Sequence, residues 1–252
     1  MNSAVMVADI LNWLDGWAPF SVAEEWDNVG LLVGCPDMPV TKILLSLDIT
    51  PEVVMHAAKL GAELIISHHP VIFNPLKKLE CDTPLYLLAW HDIAAIAAHT
   101  NLDKAVGGVN DTLASKLLLK DVCVAEDGMC RIGALESEMQ PQTFAKHCAS
   151  MLNVPDGGIN WADGKRPVKT VAVCGGSGGD FLQNLQTQVD AFVTGELNYH
   201  YWPENALNTI VAAGHFYTEA PAVEELKNKL QSAFKTIKAY LAHMNCPYHT
   251  NI

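Results

Sequence analysis

The strongest constraint on the fold is an alternation. Short apolar runs, each of a strand's length, are separated by segments with helical spacing, and the pattern recurs in both halves of the chain. Residues 4–14 place Val7, Ile10, Leu11 and Leu14 on one helical face. The run 41–49 (TKILLSLDI) predicts a strand, and Pro51 then opens a helix, PEVVMHAAKLG, with Gly61 as its stop. A second strand, ELIIS, leads into His68-His69-Pro70, followed by a helix over 83–91, a strand over 93–98 and a helix from about 111 capped by Asn110. The second half repeats the alternation: strand 168–174, helix 180–188, strand 190–194, helix 198–207, strand 209–213, helix 219–231 and strand 235–241. Between the halves, 131–136 predicts a short strand, 141–152 a helix, and 153–167 carries the Pro, Gly, Asn and Asp of turns. Such alternation implies an α/β protein with parallel or mixed sheets covered by helices. A boundary near residue 125 divides it into halves 1–125 and 126–252.

A faint internal echo accompanies the alternation. GAELIISHH at 61–69 parallels QVDAFVTGE at 188–196: an acid, an apolar run, then polar residues. AIAAHTNLD and IVAAGHFYTE follow in turn. Duplication and generic α/β periodicity explain these short matches about equally well.

Composition narrows the functional classes. Half of the 252 residues are apolar, which suits one large or two small folded domains. A net charge of −12 disfavours phosphate backbones, so nucleic acid is not an expected partner. The seven cysteines form no CxxC pair, so neither a thiolate zinc site nor a redox motif is signalled. Their irregular spacing predicts reduced, mostly buried thiols in a cytoplasmic protein. The N-terminus lacks the pattern of a secretory leader, and no run approaches the roughly 18 apolar residues of a membrane span.

The chemistry is signalled by position. Titratable residues collect where apolar strands end: His68-His69, His99 through Asp103, Thr194-Gly195-Glu196, and His215 through Glu219. In open α/β sheets, ligands gather beyond the carboxyl ends of strands. Imidazole with carboxylate suits Zn, Mn or Fe. Taken singly, each group has a bland reading: His68 and His69 as surface residues, Asp103 as a turn residue with no helix behind it, Glu219 as a favourable charge at the start of a helix capped by Thr218. That last reading leaves His215 unexplained. GGSGGD at 175–180 could cradle an anion or be a plain tight turn. EEWDNVG at 24–30 reads either as a solvated loop or as the edge of a site.

In order, EEWDNVGLLVG, LLSLDIT, SHHPVIF, AHTNLDKAVGGVNDTLA, VAVCGGSGG, TGELNYH and AAGHFYTE resemble the family named for the NGG-one-interacting factor three. Its bacterial members include YbgI and are known as GTP cyclohydrolase 1 type 2 homologues. The resemblance covers about residues 20–245. It implies two similar α/β halves facing a metal-containing cleft, two divalent metal ions per chain, and a ring-shaped homohexamer. His69 and Asp103 would hold one ion, His68 and His215 the other, with Glu219 bridging. It implies a hydrolase acting on a small-molecule substrate, in which metal-activated water attacks the purine ring of GTP with loss of formate. No role follows for His99 or His200. The alternative is a non-catalytic metal-binding module, a metal chaperone or regulatory scaffold. Open coordination positions favour the enzyme and closed shells the module. Five protein ligands for two ions leave positions open.

Overall fold

A computed structural model describes residues 4–204 and 208–248. The chain divides into two compact units, Met1–Gly108 with Val223–Met244, and Val109–Ala222 with Asn245–Ile252. These are not the halves 1–125 and 126–252 that the alternation suggested. The chain leaves unit 1 at 108, and 223–244 returns to it, because a C-terminal strand pairs back onto the strand that starts at Lys42. Sequence-local composition carries no signal for such a return.

Unit 1 opens with α1 (Val7–Trp17), β1 (Gly30–Val33), β2 (Lys42–Ser46), α2 (Pro51–Leu60), β3 (Leu64–Ser67), α3 (Pro84–Trp90), β4 (Ala94–Ala97) and α4 (Thr100–Lys104). Helix α2 is bounded as expected. The Thr50 hydroxyl accepts from Val53 N, Pro51 occupies the first turn, and Gly61 closes it in the left-handed region at φ 64°. Thr83 caps α3 in the same way, accepting from Tyr86 N. Unit 2 follows with α5 (Val109–Lys116), β5 (Lys120–Val124), β6 (Arg131–Met139), α6 (Pro141–Met151), β7 (Asn160–Ala162), β8 (Val168–Cys174), α7 (Leu182–Leu185), β9 (Ala191–Thr194), α8 (Tyr201–Glu204) and β10 (Thr209–Ala212). Helix α9 (His215–Ala233) begins there, and β11 (Lys238–Leu241) is the last element among the described residues. Of the helix expected over 198–207, residues 205–207 lie outside the described residues.

Both sheets are mixed. Unit 1 has the order β1-β4-β3-β2-β11, with β1 antiparallel to β4 and the other pairs parallel. Unit 2 has the order β5-β6-β8-β9-β10-β7, parallel only across β8-β9-β10. The two share a pattern. In each, three successive parallel strands (β2-β3-β4 and β8-β9-β10) are flanked beyond the third by an antiparallel strand that precedes them in sequence (β1 and β7). One pinning device also recurs. The Glu63 carboxylate, just before β3, accepts from Thr41 N, Lys42 N and Thr41 Oγ1. Asp190, just before β9, accepts from Lys169 N, Thr170 N and Thr170 Oγ1. In both carboxyls, burial alone would raise the pKa, but these hydrogen bonds outweigh it and hold the group below its ordinary value.

The central strands β3, β4, β9 and β10 are buried along their length, as strands covered on both faces must be. In unit 2 alternate residues feed two clusters. Val171, Val173, Val193 and Val211 pack with Leu113 and Phe144, while Ala172, Cys174, Phe192 and Ile210 pack with Leu182 and Leu185. All seven cysteines are free thiols. Only Cys130, Cys148 and Cys174 are fully buried, against an expectation that most would be, because Cys35, Cys81 and Cys123 fall on loops and an exposed edge strand. Among the described residues no helix is long and apolar enough to cross a membrane.

Candidate metal centre

The tips of β3 and β4 in unit 1 carry His68, His69, His99 and Asp103. Strand β3 ends at Ser67, so the two adjacent imidazoles leave on the turn that follows rather than on opposite sheet faces. Their rings lie 5.0 Å apart, and His99 lies 5.1 and 5.5 Å from them. One ligand atom from each of the three falls within 4.8 Å of the others, a spacing that could hold an ion. Asp103 is not in a turn, as its sequence context suggested. It lies in the short helix α4, which His99 precedes, and it is buried. Its Oδ1 stands 3.6 Å from His68 Nε2.

Each of these three imidazoles commits Nδ1 to an oxygen. His68 Nδ1 donates to the Ala98 carbonyl at 2.8 Å. His69 Nδ1 donates to Asp48 Oδ1 at 2.7 Å, and His99 Nδ1 to Asp27 Oδ1 at 2.9 Å. A carbonyl or carboxylate can only accept, so the neutral ring carries its proton on Nδ1 and presents the Nε2 lone pair. This is how metal-ligating histidines are held in their tautomer and aimed. Asp27 is firmly fixed. Burial would raise its pKa, but hydrogen bonds from His99 and from the Thr100 hydroxyl and N–H outweigh that and hold it well below the usual carboxylate range.

Unit 2 presents a smaller set at the tips of β9 and β10. Helix α9 starts at His215, one turn earlier than its pattern of Leu and Val suggested. Thr218 is therefore not its N-cap: the hydroxyl donates back to the carbonyls of Gly214 and His215 and accepts from Gly176 N. His215 and Glu219 become neighbours one turn apart, with Nε2 and Oε2 2.9 Å apart. His215 Nδ1 lies 3.4 Å from Glu196 Oε1, while Glu219 is buried.

The glycine loop after β8 shapes this set. Three of its N–H groups are taken by side-chain oxygens: Gly175 N donates to Asn110 Oδ1, Gly176 N to Thr218 Oγ1 and Gly178 N to Thr194 Oγ1. Those three N–H groups are thus not offered to an anion. Asn110, expected as a helix cap, lies within α5 and spends its amide on Gly175 N and the Met129 carbonyl. What the loop supplies is room. A Cβ on Gly176, at φ 63°, would overlap Glu219 Oε1 and stand 3.2 Å from His215 Nε2.

The Duf34/NIF3 (NGG1p interacting factor 3) family model matches residues 5–251. The chain belongs to this family. A Duf34/NIF3 relative from Clostridium perfringens, named "GTP cyclohydrolase 1 type 2 homolog", is 36% identical over 244 residues, covering 89% of this chain and 92% of that protein. A Streptomyces coelicolor relative of the same name is 34% identical, covering 86% of this chain and 83% of its own. The crystal structure of a Staphylococcus aureus hypothetical protein superimposes with a TM-score of 0.90 at 29% identity, covering 98% of this chain and 99% of that one.

Within the family frame, unit 1 brings together His68, His69 and Asp103, and unit 2 brings together His215 and Glu219. The sequence reading gave no role to His99, and it missed Asp48, Asp27 and Glu196 as partners of the imidazoles. Asp48 and Asp27 do stand in the quoted motifs LLSLDIT and EEWDNVG. Their pairing with histidines far along the chain is a tertiary fact. His200 is exposed, its ring 4.2 Å from that of Tyr201.

Proposed function

We propose that the chain is a metal-dependent hydrolase whose centre takes two divalent ions. His69 and Asp103 hold one, His68 and His215 the other, and Glu219 bridges them. The observation that carries this reading is the shared use of Nδ1. The imidazoles of His68 and His69 donate it to oxygens and that of His215 faces Glu196, which turns Nε2 of His68 toward Asp103 and Nε2 of His215 toward Glu219, the carboxylates that would share the ions. Nitrogen and carboxylate oxygen without thiolate suit Zn, Mn or Fe. Divalent ions supply Lewis acidity and lower the pKa of water. The chain's own residues orient the ligands, and the burial of His68, Asp103 and Glu219 keeps bulk solvent from them.

The relatives' name supports ring opening of a cyclic amidine or amide, of which GTP is the named case. A ring-shaped homohexamer, supported by the family resemblance, and a cytoplasmic location, supported by the scattered free cysteines, complete the reading. Elemental analysis of purified protein, followed by a hydrolysis screen over nucleotides, phosphoesters and cyclic amides, tests it. Two ions per chain and turnover of a ring substrate are expected. Metal-free protein from supplemented medium defeats the reading. Full metal without turnover of any class leaves a binding module in its place. Light scattering that finds a monomer at micromolar concentration removes the hexamer.

A further inference from the structure

Beyond the ends of β9 and β10, unit 2 holds a cavity of about 660 Å³, lined by Trp161, Trp202, Tyr248, Glu196, Gly195 and Gly214 among others. The size falls in the range of roughly 300–1,000 Å³ usual for small-molecule sites. Part of its wall is bare backbone and must stay so. A Cβ on Gly195 would lie 2.7 Å from His215 Cα, and one on Gly214, at φ 87°, would lie 2.9 Å from Tyr217 Cδ2. Three aromatic residues, Trp161, Trp202 and Tyr248, share the lining with the polar side chain of Asn160. Trp161 on β7 is 38% exposed and Tyr248 43%, so both rings offer free area. The Trp202 indole N–H reaches toward the Leu197 carbonyl at 3.4 Å, which orients that ring. Peptide planes and aromatic faces together favour a flat ligand.

Charge selects the edge of that ligand. Among the described lining residues Glu196 is the one carboxylate, and no lysine or arginine stands with it. A carboxylate only accepts hydrogen bonds, so it reads N–H groups, and it repels phosphate. Its oxygens stand 3.4 Å from His215 Nδ1 and 3.4 Å from the Ser177 hydroxyl.

We propose that this cavity binds an uncharged planar nitrogen heterocycle of the purine class through its flat face and its N–H edge, with Glu196 as the acceptor, and that it does not hold a triphosphate. The proposal deepens the metal-hydrolase reading and rests on it for what becomes of the bound ring, because Glu196 touches both the cavity and His215. It also differs from what the relatives' name implies: recognition lies in the base, and a phosphate tail adds nothing here.

The test is calorimetric titration of the full chain with guanosine, 1-methylguanosine and GTP, before and after metal removal by chelation. Guanosine is expected to bind in both states. Methylation of its N1–H should weaken binding about tenfold, and GTP should bind metal-free protein no more tightly than guanosine. Trp161→Ala and Glu196→Gln, folded by circular dichroism, should each lose about tenfold in guanosine affinity. Trp202→Phe, which keeps a ring, should lose less than Trp202→Ala and serves if Trp161→Ala does not fold. No guanosine binding to folded protein, equal binding by these variants, or GTP binding metal-free protein far more tightly than guanosine each overturns the proposal. Guanosine binding in protein that never takes up metal would defeat the metal reading and leave the cavity's ligand class standing.

Discussion

Replacing Gly176 with Ala separates two costs that most substitutions confound. The backbone there sits at φ 63°, where an L side chain costs about 1–2 kcal/mol. The added methyl also lands on the Glu219 carboxylate, which packing in a buried site resists at about 1–3 kcal/mol. Gly61 provides the control: its φ is 64°, but the nearest atom to an added Cβ is the flexible end of Lys42 at 3.6 Å. Gly61→Ala should therefore lower Tm by about 2–8 °C, at roughly 2–4 °C per kcal/mol, and leave metal content unchanged. Gly176→Ala should lower Tm by about 4–20 °C and lose metal, because Glu219 must swing away from His215. The assay is differential scanning calorimetry beside elemental analysis of both variants after desalting. If Gly176→Ala retains full metal and loses no more stability than Gly61→Ala, the loop is not a space-maker for Glu219.

Glu219→Ala should lose more metal than His68→Ala, since a bridging carboxylate serves both ions and an imidazole one; full occupancy in folded Glu219→Ala protein would reduce Glu219 to a helix-start charge worth under about 1 kcal/mol. Asp48→Ala removes the acceptor of His69 Nδ1 and should weaken metal affinity by about 10–100-fold with little change in fold, measured by competition with a chelating dye. The Asp190 carboxyl is held below its ordinary pKa, so its contribution to stability is full above about pH 4 and is lost as the pH falls through the folded value. Asp190→Asn should thus be less stable than wild type at pH 7, and the gap should narrow below pH 4 in denaturant titrations.

The buried parallel strands were legible because a strand covered on both faces must be continuously apolar, as ELIIS and TIVAA are. The internal echo was legible but undecidable from letters alone. The structure gives its two acids one task, since Glu63 and Asp190 pin the starts of β2 and β8 alike. It also places His99 and Asp103 after β4 with the spacing of His215 and Glu219 after β10. Strands β1 and β7 escaped notice because edge strands of four and three residues are too short for a periodic signal, and β7 is mostly exposed. Helix α4 is only five residues long, too short for a periodic signal. The start of α9 was misjudged because His215, Phe216 and Tyr217 are indifferent helix formers that the fold nevertheless winds into its first turn.

The pairing of β11 with β2, Lys238 opposite Lys42, sets an order of events during synthesis. The sheet of unit 1 lacks its last strand until residues 238–241 have been translated, whereas every named strand of unit 2 has been made once the ribosome passes Ala212. The middle of this chain is therefore expected to fold ahead of its beginning. Until then β2 shows a bare, apolar hydrogen-bonding edge, and crowding of nascent chains during that interval is where misassembly would start.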